Sequence, residues 1–101
     1  MAASLLKPDH GARLLFERLS VDDARVTYRV TVALAETSHV CEIAIARSDG
    51  AISFAEWTAG TPDAWSVDSA RAFLKTIYAS HKDAAPADWP RKLRRWRAPR
   101  D

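Results

Sequence analysis

Between Arg25 and Leu34 the chain reads RVTYRVTVAL, and its apolar and polar positions alternate without a slip. Val26, Tyr28, Val30, Val32 and Leu34 fall on one side, with Arg25, Thr27, Arg29, Thr31 and Ala33 on the other. A period of two, rich in β-branched side chains, predicts a strand with one packed face and one wet face. Upstream, RLLFERL (13–19) predicts its hairpin partner, with Val21-Asp22-Asp23-Ala24 as the turn. Two sets of residues compete for its inner face, Leu14 with Phe16 and Leu15 with Leu19. A bulge would accommodate both. Downstream, Glu36-Thr37-Ser38 predicts a loop and HVCEIAIAR (39–47) a third strand.

Asp49-Gly50 is a hairpin signal, because a type I′ turn needs positive φ at both central residues. Taken as a two-residue loop, it sets Ile45 opposite Phe54 and Arg47 opposite Ile52 on the packed face. Glu42 then falls opposite Trp57 on the other face, and the fourth strand runs from Ala51 to Trp57. After a loop over 58–63 the period changes. Val67, Ala70, Phe73, Leu74, Ile77, Tyr78 and His81 form a stripe at helical spacing, with Asp68, Arg71, Lys75 and Lys82 opposite. Ser66 is the expected cap. Residues 84–88, with Pro86, break this helix. Trp89, Leu93 and Trp96, at i, i+4 and i+7, predict a short second one.

The expected fold is therefore α+β: a four-stranded antiparallel meander sheet packed by one long amphipathic helix, plus a short basic C-terminal helix. At 101 residues it is expected to be a single domain, with 1–11 flexible and 89–101 a basic segment. One helix is a narrow cover for four strands, so a homodimer is one expectation.

Charge adds a second one. Residues 1–88 carry nine Lys or Arg against twelve Asp or Glu, whereas 89–101 carry six against one. A mildly acidic body with a basic tail suggests an anionic partner. No apolar run reaches the roughly 18 residues of a membrane span, and MAASLLKPDHG has no signal-peptide core. The single cysteine, Cys41, excludes an internal disulfide framework and fits a reducing compartment, so the expected location is the cytoplasm.

Catalytic signatures are weak. Gly11, Gly50 and Gly60 make no phosphate-binding loop, and no nucleophile elbow occurs. His39 and Cys41 share a strand face, but no companion ligand has metal-site spacing, so neither a metal nor a cofactor is expected. Asp22 and Asp23 read as turn carboxylates. The protein is expected not to be an enzyme.

What remains is binding. Arg91, Lys92, Arg94, Arg95 and Arg97 in the tail, with Arg25 and Arg29 on the wet face of the second strand, are the candidate nucleic-acid contacts. Trp57 and Trp96 are the candidate stacking or partner-binding side chains. The alternative is a protein-interaction or assembly domain whose Trp89, Leu93 and Trp96 pack on a partner or on a second copy. The element order is similar to that of some small dimeric single-strand-binding modules, a likeness of plan that no motif supports.

Overall fold

The computed structural model describes residues 11–34 and 37–97. The expected flexibility of 1–11 and the loop residue Glu36 fall almost wholly outside the described residues. Strands β1 (Ala12–Val21), β2 (Arg25–Ala33), β3 (Ser38–Ala46) and β4 (Ile52–Phe54) form the expected meander, followed by helix α1 (Ala64–His81). A single 3-10 turn (Pro86–Asp88) leads to a fifth strand, β5 (Lys92–Arg97). The sheet order is β4-β3-β2-β1-β5, antiparallel throughout.

The predicted packed face of β2 is the centre of the core. Val26, Tyr28, Val30 and Val32 are fully buried, as are Ala12, Leu14 and Phe16 of β1 and Ile45 of β3. The competition within β1 resolves in favour of Leu14 and Phe16. A bulge does occur between Arg18 and Ser20, but it leaves Leu19 exposed, and Leu15 lies half-buried on the opposite face.

The β3–β4 register differs from expectation by two residues. Ile43 faces Phe54 and Ile45 faces Ile52, so the loop is Arg47-Ser48-Asp49-Gly50 rather than Asp49-Gly50 alone. Arg47 is drawn away from the ladder, donating to the carbonyls of Asp22 (2.8 Å) and Ala84 (3.0 Å). Gly50 keeps a positive φ of 79°, and a Cβ there would lie 2.6 Å from the Tyr78 ring. Because side chains alternate with a period of two, a shift of two leaves the residues that remain in the ladder, Ile52, Ser53 and Phe54, on their predicted faces. Beyond Phe54 the ladder thins to isolated bonds, so β4 is shorter than its predicted span of Ala51 to Trp57.

Helix α1 begins two residues before Ser66. Ser66 is not a cap: it is fully buried, and its hydroxyl donates to the Asp63 carbonyl (2.7 Å). Ser66, Ser69 and Ala70 keep the sheet-facing stripe small at one end, while Leu74 and Ile77 fill it further on. Phe73 meets Phe16 edge-on, with ring centroids 6.2 Å apart.

The largest correction concerns 89–97. Trp89 is extended (φ −68°, ψ 138°), as suits a residue that precedes proline. Its indole is buried in the core. From Lys92 onward the chain pairs with the edge of β1, Leu93 opposite Phe16 and Arg95 opposite Leu14. In place of a second helix there is a fifth strand. Strand β1 had backbone groups on its outer edge that needed partners, and a ladder supplies them where an isolated short helix would not.

Candidate nucleic-acid interface

One sheet face packs against α1. On the other, the register aligns side chains from β5, β1, β2 and β3. In one row Lys92, Glu17, Arg29 and Glu42 follow each other across β5, β1, β2 and β3 with alternating charge. The next row is Arg94, Leu15, Thr31 and Val40, and the one after it Trp96, Arg13, Ala33 and Ser38. Cross-strand neighbours of this kind have Cβ atoms about 5 Å apart. These last two rows contain no carboxylate. They combine Arg94 and Arg13 with an indole that is 48% exposed and with half-buried Leu15, Thr31 and Val40. The Arg13 Nε is shielded and has no hydrogen-bond partner among the described residues.

The structure thus brings together two features that lay far apart in the chain. Arg29, Lys92 and Arg94 all lie exposed on this open face. Arg25 is exposed at the start of β2 opposite Ala46, beside a shallow depression of about 330 Å³ left by the short β4. Arg91 is exposed just before β5, its carbonyl accepting from the Arg18 amide (2.9 Å).

Other predicted residues do not join the group. Arg95 turns to the helix side, its guanidinium 5.7 Å from the Phe73 ring centroid. Arg97 pairs through its backbone with Ala12, and its side chain lies outside the described ones. Trp57 does not emerge beside Glu42; it is half-buried and stacks on Phe54, with centroids 5.9 Å apart at 29°. Nor do Trp89, Leu93 and Trp96 form one face: Trp89 is in the core, Leu93 faces the helix, and Trp96 lies on the open side.

Sequence reasoning missed Arg13. The alternation of Arg13, Leu15 and Glu17 opposite Leu14 and Phe16 carried the signal, but the ambiguous register of this strand hid it.

The His39–Cys41 pair has structural uses. His39 is buried, with Nδ1 2.8 Å from the Gly60 carbonyl and Nε2 3.2 Å from the Thr37 hydroxyl. That leaves Gly60 tied to β3. The Cys41 thiol donates to the Ala55 carbonyl (3.1 Å), and burial pushes its pKa up, away from the thiolate form that does chemistry. Asp22 accepts from the amides of Arg25 (2.9 Å) and Ala24 (2.7 Å), which hold its carboxyl below the usual range and close the β1–β2 turn. Among the described residues no group of three His, Cys, Asp or Glu could hold a metal ion. No helix among them is long and apolar enough to cross a membrane.

No protein family, curated protein or solved structure matches this chain. The geometry of the open face therefore stands alone as the functional clue.

Proposed function

We propose that the protein is a non-enzymatic, cytoplasmic binding module that holds single-stranded nucleic acid across the open sheet face. The observation that carries this reading is the pairing of β5 with β1, which puts Trp96 beside Arg13 and Arg94 beside Leu15 in a region free of carboxylates. Arg13, Arg29, Lys92 and Arg94 neutralise phosphates, Thr27 and Thr31 add hydroxyl hydrogen bonds, and Trp96 stacks on a base. A splayed single strand can lay its bases flat on an open sheet face and stack on an exposed indole. In the row of Lys92 and Arg29, Glu17 and Glu42 offset part of the positive charge, so the carboxylate-free rows at the Trp96 end attract phosphate most.

The test is fluorescence anisotropy with labelled single- and double-stranded DNA and RNA at low and moderate salt. The wild type is compared with a folded variant in which Arg13, Arg29, Lys92 and Arg94 are glutamine. Binding that weakens with salt, prefers single strands and disappears in the variant supports the reading. No binding at low salt, or binding that survives the four substitutions, rejects it.

A further inference from the structure

Strand β5 has a second exposed side, its outer edge. The Arg18 amide donates to the Arg91 carbonyl (2.9 Å), which makes that pair a hydrogen-bonded one in the antiparallel ladder. Bonded and non-bonded pairs alternate, so Leu93 and Arg95 also bond to β1, and Lys92 and Arg94 turn their N–H and C=O groups outward. Among the described residues no strand pairs with this edge. The Arg94 carbonyl accepts, among the described residues, only from the neighbouring Arg95 Nη1 (2.8 Å), a local bond that an incoming amide can replace.

Beside that edge, on the helix side, runs a groove of about 220 Å³ between β5 and the second half of α1. Its walls are mostly apolar, made by Phe16, Phe73, Ile77, Pro90 and Leu93, and the exposed Arg95 also lines it. An apolar cavity of about 150 Å³ already accepts a benzene-sized group, so this one has room for a single large apolar side chain. An open edge strand beside a groove under a helix is what strand-addition recognition of peptides requires: the edge supplies main-chain bonds, and the groove takes alternate side chains.

We propose that this edge and groove bind an extended acidic peptide from a partner protein, added to the sheet as a sixth strand beside β5. The charge of the edge selects the occupant. Lys92, Arg94 and Arg95 are all exposed, and a second copy of β5 would set these cations against themselves. In the docked strand an apolar side chain beside Leu93 enters the groove, and a carboxylate two positions away meets Arg95. Carboxylates on the alternate positions meet Lys92 and Arg94. The main-chain edge of β5 and the helix-side groove take no part in the nucleic-acid reading. Lys92 and Arg94, whose side chains lie on the open face, are the residues the two readings share.

The probe is a phage-displayed library of short random peptides selected on the full chain. The peptide it enriches is then synthesised with a fluorescent label. The expected consensus is an apolar residue two positions from Asp or Glu within an acidic stretch. Binding should fall at least tenfold when the backbone amides facing Lys92 and Arg94 are N-methylated. It should fall similarly in Thr76→Trp, which fills the groove from an exposed helix position, and in Arg95→Glu. Circular dichroism of both variants confirms that the fold is kept, and Arg13→Gln should bind the peptide unchanged. Failure to enrich such a consensus overturns the proposal. Equal binding of the N-methylated peptide also overturns it, since simple charge attraction would then suffice.

Discussion

The Arg18 Nη1 lies 2.8 Å from the carbonyl oxygen of Trp89, joining residues 71 positions apart in the chain. The same nitrogen reaches the Pro86 carbonyl at 3.3 Å. Two further donors hold the segment that leads from α1 to β5: the Tyr28 hydroxyl to the Pro90 carbonyl (2.7 Å) and Arg47 to the Ala84 carbonyl (3.0 Å). Three side chains from β1, β2 and the β3–β4 loop thus satisfy the carbonyls of a stretch that has no ladder of its own. They deliver β5 to the edge of β1 in the register that lines up the open face.

Arg18→Met should keep much of the apolar stem but remove the charged donor. Hydrogen bonds from charged groups contribute about 1.5–3 kcal/mol, and a loss in that range is expected in urea-induced unfolding. Because β5 loses an anchor, hydrogen exchange at the β1–β5 ladder should accelerate more than at β2–β3.

Tyr28→Phe should cost about 1 kcal/mol through the lost bond to Pro90. It also gives a pH signature. Burial raises the Tyr28 phenol to about 12, above its ordinary value of 10.0. The folded state therefore holds this proton when the unfolded chain has released it. Stability linked to Tyr28 is fully present below pH 10 and declines as pH rises toward about 12. Thermal melts across that window should show the wild type losing its advantage over Tyr28→Phe. An advantage that stays constant would contradict the assignment.

Gly50→Ala places a Cβ on a backbone with φ of 79° and within 2.6 Å of the Tyr78 ring. A non-glycine residue in a sparsely populated backbone region costs about 1–3 kcal/mol, and the clash with Tyr78 adds to it. Chemical denaturation should report at least that loss.

Arg94 and Arg95 are neighbours on opposite faces, so they make a paired control for the nucleic-acid reading. Arg94→Gln should lower the slope of log affinity against log salt by about 0.7 on a single strand, the value of one phosphate contact. Arg95→Gln should leave the slope unchanged. Equal effects would mean that general charge, rather than the open face, drives binding.

Cys41 is buried and its thiol is engaged with the Ala55 carbonyl. A thiol-specific reagent should label it slowly in the native protein and rapidly in urea. Fast native labelling would show that β3 and β4 separate readily.

Where neighbours in the sequence carry the information, the reading reached the structure. The alternation from Val26 to Val32 requires a two-sided strand whatever else surrounds it, and the stripe from Ala70 to Ile77 requires a helix with one buried side. Even the β3–β4 register error left the faces of the paired residues Ile52 to Phe54 correct, because a shift of two positions is invisible to a period of two.

The C-terminal segment lacked that information. Trp89, Leu93 and Trp96 have helical spacing, but Lys92, Arg94 and Trp96 also alternate with Leu93 and Arg95, so the local pattern permits either state. Only the tertiary structure decided between them, through the open edge of β1 and the donors Arg18, Tyr28 and Arg47, all remote in sequence. The candidate site has the same origin. Arg29, Lys92 and Arg94 were legible in the sequence and Arg13 was not, and their meeting on one face with Trp96 depends on a pairing of β5 with β1 that no local pattern encodes.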